Sequence, residues 1–307
     1  MPPVARRRAE ALGEPGRAWI ASLPDLVADL SRAWNLTPQA VLSGGTEALI
    51  VACDAGEGGE RVLKLILPGQ DPEGLEARVL GLANGEGYAR LYRSDLARGA
   101  LLMERLGPSL ASLGWPAQDI LRALCDTLRT AWRPIAGAEG FPDGAEKAER
   151  LAGFIRDLWN DLGSPVSPRV LDRALAFAED RRRAFDPDRA VLAHGDAHPG
   201  NTLLVPGSGP PAFRFIDPDG LFIEPALDLG VVMREGGMEL LQGDAGRIGL
   251  ERCAALSAWT GVPQGPIWQW GFVERVSTGL LATQLKMEIG PPMLAVAEAW
   301  AGIDPPE

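Results

Sequence analysis

Hydrophobic positions follow two rhythms, and the change from one to the other divides the chain. Near the start, Trp19, Ile20, Leu23, Leu26, Val27, Leu30 and Trp34 recur at steps of three and four, which predicts an amphipathic helix over residues 16–35. Pro24 falls inside that stripe, so a kink is expected there, or a start of the main helix with Ser22 as its cap. Residues 1–14, charged and small, read as a loosely held arm. Short apolar runs then take over. Residues 41–42 and 48–53 predict a hairpin, 61–67 a third strand, and 91–92 and 100–103 two more, with a helix over 72–83 between them. From residue 120 the helical rhythm returns. Ile120, Leu121, Leu124, Leu128 and Trp132 make one stripe, Leu151, Phe154, Ile155, Leu158, Trp159 and Leu162 another, and residues 170–185 a third. Residues 134–144 and 163–168 are loops, and 224–232, 251–259, 266–287 and 292–301 complete a helical C-terminal part.

One stretch interrupts those helices. Apolar runs at 190–193, 202–205 and 213–216 are separated by Pro/Gly breakers at 199–200 and 206–211, so residues 191–228 read as strand, loop, strand, turn, strand, loop. Polar residues collect where the strands end: Asp196, His198 and Asn201 after the first, Asp217 and Asp219 after the third. Side by side, those loops would gather a free carboxylate, an amide and one or two further carboxylates around one point. A magnesium–nucleotide reaction asks for that set. Mg²⁺ takes a few hard oxygens and keeps its other places for water and phosphate, and an accepting hydroxyl needs a carboxylate to orient it and take its proton.

The chain's two histidines, His194 and His198, both lie in this loop. Zinc is the rival reading. It is opposed by Gly195 and Pro199-Gly200, which disfavour the helix that would make a four-residue spacing a ligand pair, and by the lack of a third His or a nearby Cys. A polar turn that merely satisfies backbone donors would explain one such residue more readily than the group. Upstream, the turn Ser43, Gly44, Gly45, Thr46, Glu47 is a candidate phosphate loop, with a plain hairpin connector as the alternative. It has neither the G-x-G-x-x-G nor the G-x-x-x-x-G-K-[ST] pattern. Lys64 stands mid-strand among Val62, Leu63, Leu65 and Ile66, where it needs an anion or a solvent-facing edge.

Composition narrows the setting. A chain of 307 residues buries roughly three quarters of its unfolded surface, enough for one large domain or two lobes. Cys53, Cys125 and Cys253 are odd in number and far apart, which suits a reducing compartment without disulfides. No apolar segment follows Arg6-Arg7-Arg8 as a leader would, and no apolar run reaches membrane-spanning length, so a cytoplasmic protein without a membrane partner is expected. The formal charge of −11 argues against nucleic acid and suits a cationic small molecule. Glu235, Glu239 and Glu274 are the acids considered for such an acceptor. Trp259, Trp268, Trp270 and Trp300 are either helical core or a sugar-binding face, and Trp270 is carried as an acceptor candidate. A monomer or weak dimer is expected.

The motif H-G-D-A-H-P-G-N at 194–201, followed by I-D at 216–217, resembles the catalytic and metal loops of the aminoglycoside phosphotransferase superfamily, relatives of protein kinases. The resemblance implies that Asp196 is the catalytic base and that Asn201 and Asp217 hold Mg²⁺. It implies that His194 and Asp228 brace the loop, with His198 in support. It pairs Lys64 with Glu76, or with Glu73, against the α- and β-phosphates of ATP. L-L-M-E-R-L-G-P at 101–108 resembles the kinase hinge, where Glu104 to Leu106 would meet the adenine and Met103 or Leu102 would line its pocket.

The implied fold is α+β and protein-kinase-like with two lobes: a small antiparallel-sheet lobe over 1–103, a hinge at 104–108 and a mainly helical lobe over 109–307. G-R-A-W-I-A-S-L-P-D-L-V at 16–27, I-D-P-D-G at 216–220 and L-A-V-A-E-A-W at 294–300 resemble the aminoglycoside 6-phosphotransferases and the related hydroxyurea kinases. Ala197, small where relatives often carry Leu, departs from the familiar pattern beneath the base. The implied activity is ATP- and Mg²⁺-dependent transfer of the γ-phosphoryl group to a hydroxyl of an aminoglycoside, streptomycin first, conferring resistance. Other acceptors stay open: homoserine, choline, a sugar, hydroxyurea or a macrolide. So do a nucleotide-binding module without transfer and a metal-dependent hydrolase built on Asp196, Asp217 and Asp219. The presence of base, metal ligands and lysine together favours an active enzyme.

Overall fold

The structure is a computed structural model that describes residues 1–71, 73–135, 140–207 and 209–306. Its contacts divide the chain into two compact units, Met1–Gly107 with Val205–Gly207, and Pro108–Leu204 with Ser208–Glu307.

The first unit is built on a five-stranded antiparallel sheet in the order β1-β2-β3-β5-β4. The strands are β1 (Thr37–Val41), β2 (Ala48–Asp54), β3 (Glu60–Ile66), β4 (Leu91–Asp95) and β5 (Ala100–Glu104). Side chains alternate across a strand. On one face Leu49, Val51, Cys53, Leu63 and Leu65 bury against Trp19, Leu23 and Leu30 of helix α2 (Glu14–Trp34). Lys64 therefore lies on the other face. Opposite Ile50 on one side and Leu101 on the other, it stands on the central strand and not at an edge.

Helix α2 contains Pro24 within its span, and Ser22 does not cap a second start: its hydroxyl donates to Trp19 O at 2.9 Å. The expected loose arm is a helix, α1 (Pro3–Ala11), which buries Ala5 and Ala9. A Cβ at Gly16 would lie 1.8 Å from Ala9 O, so small residues carry the packing and no apolar stripe announces it. Helix α3 (Leu75–Ala83) follows Gly74, and its first amides are met from outside the helix by Asp71, whose carboxylate accepts from Leu75 N (2.7 Å) and Glu76 N (3.2 Å). Pro72, the expected first residue of that helix, lies outside the described residues.

In the second unit, α4 (Ala117–Ala131), α5 (Gly144–Asp161) and α6 (Pro168–Arg183) follow the three apolar stripes. Helix α5 starts earlier than its stripe because Asp143 and Glu146 form a capping box. The middle of the loop expected at 134–144, residues 136–139, lies outside the described residues. Two ribbons come next. Strand β6 (Val191–Ala193) pairs antiparallel with β9 (Leu221–Ile223), and β7 (Thr202–Leu204) with β8 (Phe213–Phe215). Strand β9 falls where a loop was expected. Its apolar run is only Leu221-Phe222-Ile223, closed in by Gly220 and Pro225, and too short to show a period.

Helices α7 (Ala226–Met233), α8 (Gly237–Leu240), α9 (Ala245–Thr260), α10 (Gln264–Gln284) and α11 (Gly290–Trp300) complete the unit. The four-residue α8 was not expected. Helix α10 is the core of the unit, buried along Trp268, Trp270, Phe272, Val273, Val276 and Leu280. Helix α7 approaches it backbone to backbone: a Cβ at Gly230 would stand 2.6 Å from Trp270 Cβ, and one at Gly271 2.7 Å from Met233 Cβ. Among the described residues no helix is long and apolar enough to cross a membrane.

Candidate active site

The β6–β9 pairing decides the local layout. Ala193 sits opposite Leu221, so the chain leaving β6 at His194 runs beside the segment that enters β9 through Asp219 and Gly220. His194 O accepts from Asp219 N at 2.8 Å. Gly195 has a φ of 89°, and a Cβ there would come within 2.8 Å of Asp219 Cβ, so glycine is required on both counts.

The second ribbon closes the arrangement. Thr202 opposes Phe215, and just before that pair Asn201 O accepts from Ile216 N at 2.9 Å. Asn201 is therefore tied to the residue that precedes Asp217. The Asn201 Nδ2 donates to Asp196 O at 3.2 Å, which leaves its amide oxygen as the acceptor atom. Asp217 lies in the left-handed region at φ 56°, a conformation that Asp tolerates better than most residues. Carboxylate and amide oxygens are hard donors, and two of them leave room for water and phosphate, so the pair fits Mg²⁺.

His194 is fully buried. Its Nδ1 accepts from Asp196 N at 3.1 Å, so Nε2 carries the proton and donates to Ile216 O at 3.0 Å. One imidazole thus links the Asp196 backbone to the carbonyl preceding Asp217. Beneath it the buried carboxylate of Asp228, in the first turn of α7, takes three donors. Oδ2 accepts from His194 N (3.0 Å) and Trp132 Nε1 (2.9 Å), and Oδ1 from Gly195 N (2.8 Å). His198 Nδ1 accepts from Gly200 N at 3.0 Å, and its Nε2 stands 3.5 Å from Asp196 Oδ2. Burial holds the His198 imidazole below its usual value against the pull of Asp196. Ala197, within the loop, is fully buried.

In the first unit, the Lys64 Nζ donates to both oxygens of Glu76, at 2.7 and 2.6 Å, with both side chains buried. In the 43–47 turn Gly44 takes a φ of 110°, and a Cβ at Gly45 would meet Ala48 O at 2.7 Å. Met103 is buried in β5. The Glu104 amide is committed to Arg90 O at 2.8 Å, whereas Leu106 lies past the end of the strand.

Comparison with known proteins bears on this arrangement. Residues 33–282 match the model of a family described as aminoglycoside/hydroxyurea antibiotic resistance kinase. The chain belongs to that family. A streptomycin 6-kinase of Streptomyces glaucescens is 34% identical over 238 residues, 74% of this chain and 72% of the relative. A hydroxyurea phosphotransferase of Kitasatospora aureofaciens is 30% identical over 270 residues, 84% of this chain and 76% of the relative. The solved choline kinase LicA from Streptococcus pneumoniae superposes with a TM-score of 0.61 at 12% identity, over 92% of this chain and 99% of that one. The fold is the protein-kinase-like α+β architecture expected, and the chain is a small-molecule phosphotransferase of this family.

The kinase's acceptor candidates fare unevenly. Trp270 is a correction: it is fully buried, and its indole N–H donates to Glu224 Oε1 at 2.9 Å, so it is core and cannot face an acceptor. Glu274 is buried as well, on a face of α10 that meets Arg234, whose Nη1 donates to Glu274 Oε2 at 3.1 Å. Glu235 is half-buried and Glu239 exposed. Arg234 itself was missed. It is the C-cap of α7, and its Nη2 donates to Asp196 Oδ1 in a short contact. Burial alone would raise the Asp196 carboxyl, but this guanidinium holds it below the usual carboxylate value. The one signal in the sequence was a lone arginine ending an apolar helix, which the helix dipole alone would explain.

Proposed function

We propose that the kinase transfers the γ-phosphoryl group of ATP to a hydroxyl of streptomycin. The observation that carries this reading is the loop bonded at both ends: Asp196 O and Ile216 N both meet Asn201, which brings a carboxylate, an amide oxygen and Asp217 into one neighbourhood. Asp196 would orient the acceptor hydroxyl and take its proton as the oxygen bonds to the γ-phosphorus and the bond to the β-γ bridging oxygen breaks, releasing ADP. Asn201 and Asp217 would hold Mg²⁺, which when bound neutralises charge on the phosphates. Lys64, oriented by Glu76, would meet the α- and β-phosphates, and the backbone of Ser43, Gly44, Gly45 and Thr46 would cradle them. Adenine would be read at residues 104–108, with Met103 lining its pocket. The Glu104 amide is spent in the sheet, so Leu106 is the donor expected there.

Support for a cationic acceptor comes from the charge of −11, with Glu235 and Glu239 the acids left to receive it. The free, buried cysteines fit a reducing cytoplasm. Hydroxyurea is the second reading, favoured by the relative of that activity at 30% identity.

ATP consumption measured with and without streptomycin, hydroxyurea, choline and homoserine tests both readings. Streptomycin-dependent consumption, with the phosphate found on the drug, is expected. Asp196→Ala should lower turnover roughly 10²–10⁴-fold with ATP binding kept. Turnover with hydroxyurea alone would replace the first reading by the second, and consumption of phosphoesters without nucleotide would end both.

A further inference from the structure

We propose that Arg234 is the positioning residue for the proton acceptor of this kinase: anchored on α10, it fixes one oxygen of the Asp196 carboxylate so that the other faces the acceptor hydroxyl. The inference rests on Asp196 being that proton acceptor.

Arg234 bonds at both ends of its fork. Nη2 donates to Asp196 Oδ1, and Nη1 to Glu274 Oε2 (3.1 Å) and Thr278 Oγ1 (3.3 Å). Glu274 and Thr278 are four residues apart on α10 and so lie on one face of it. The Arg234 side chain is 12% exposed, against 36% for that of Asp196, so the anchor is sheltered and the carboxylate is reachable. The planar fork fixes direction as well as distance, which a lysine ammonium does not. With Oδ1 engaged, Oδ2 is left, 3.5 Å from His198 Nε2.

The anchor is stiff for an independent reason. Helix α7 is pressed onto α10 through Gly230 and Gly271, where a single Cβ would collide with the facing helix. Its two ends therefore hold the 194–196 loop by different means. Asp228 in the first turn binds the backbone amides of His194 and Gly195, and Arg234 at the C-cap binds the side chain of Asp196. Asp228 sets where the loop runs, and Arg234 sets how the base is turned.

The test compares Arg234→Gln, Arg234→Lys, Asp196→Ala and the double variant Arg234→Gln/Asp196→Ala. Turnover is measured with whichever of streptomycin and hydroxyurea the wild type phosphorylates. Arg234→Gln should lower kcat about 10²-fold, as a displaced catalytic group does, with KM for ATP unchanged, and Arg234→Lys should recover part of the loss. The double variant should be no slower than Asp196→Ala, because an arginine that acts through the base has nothing to act on once the base is gone. Additive losses, or a rise in KM for ATP, would overturn the proposal. Arg234→Gln strands the buried Glu274, so Arg234→Gln/Glu274→Gln, which removes both charges, separates misfolding from misplacement. It should melt with the wild type and turn over as slowly as Arg234→Gln. Wild-type turnover in that variant would also overturn the proposal. Crystal structures of wild type and Arg234→Gln give a reading that needs no acceptor. The Asp196 carboxylate should lose its single orientation, and an unchanged carboxylate rules the proposal out. An inactive wild type with a reoriented Asp196 in Arg234→Gln would instead count against the acceptor reading alone.

Discussion

Replacing Asp228 tests whether the loop is held as described. The carboxylate is buried and accepts from His194 N, Gly195 N and Trp132 Nε1. A bond to a charged acceptor contributes about 1.5–3 kcal/mol net of desolvation, so the loss of three such bonds in Asp228→Ala should cost roughly 5 kcal/mol or more, at the upper end for one substitution. Asp228→Asn is the milder change. With its oxygen at the Oδ2 position the amide keeps two acceptor bonds and sets its NH₂ against Gly195 N–H, for a cost of about 2 kcal/mol. Urea unfolding followed by Trp fluorescence reads mainly the second unit, which holds seven of the nine tryptophans, the other two being Trp19 and Trp34 of the first. An Asp228→Ala midpoint equal to wild type, or an Asn variant as weak as the Ala variant, would refute the bond count.

Three further outcomes follow from the same contacts. Glu76→Gln removes a carboxylate charge from beside the buried Lys64 ammonium and should cost about 3–5 kcal/mol and weaken nucleotide binding. Lys64→Met/Glu76→Leu should recover stability without recovering binding, which thermal melts beside nucleotide titration will show. Gly230→Ala places a Cβ 2.6 Å from Trp270 Cβ, an overpacking expected to cost about 1–3 kcal/mol and to appear as a lowered midpoint in the same urea assay. As pH falls below 6.5, the ordinary value for histidine, His198 should make the fold less stable. Its folded pKa is depressed, so the unfolded chain binds the proton first, and stability present above 6.5 is lost down to the folded pKa. Asp196, also depressed, erodes stability only below 3.8. Between those values His198→Gln should flatten the pH dependence of the urea midpoint, and an unchanged slope would dismiss the assignment.

What could be read from the chain depended on whether the information was local. The run from His194 to Asn201 and the Asp217 beyond it stood out because polar residues end short apolar strands, a pattern visible within a few positions. Lys64 was legible as an anomaly on an apolar strand, and its partner lies within the next helix. Arg234 was not legible, because its meaning depends on Asp196, far back in the chain, and on Glu274, far ahead of it. For the same reason Glu274, a candidate acid for a cationic acceptor in the sequence, proves to be the buried partner of Arg234. Trp270 was misassigned because α10 is apolar around most of its circumference, and a helix buried on all sides has no stripe to tell which aromatic faces outward. Helix α1 was missed in the opposite way, its packing carried by Ala5, Ala9 and Gly16 and not by large side chains.

Helix α7 joins these threads. An acid in its first turn and an arginine at its C-cap both suit the helix dipole, so each charge is favoured where it stands before it binds anything. Only their bonds to the loop give them a second role. Because the helix reaches α10 through glycine contacts that admit no side chain, moving it would shift Asp228 and Arg234 together. Overpacking at Gly230 should therefore impair turnover beyond what its loss of stability explains. Stability and turnover that fell strictly in step would mean the helix only supports the fold. Loss of turnover at full occupancy of the native state would mean that it also aims the loop.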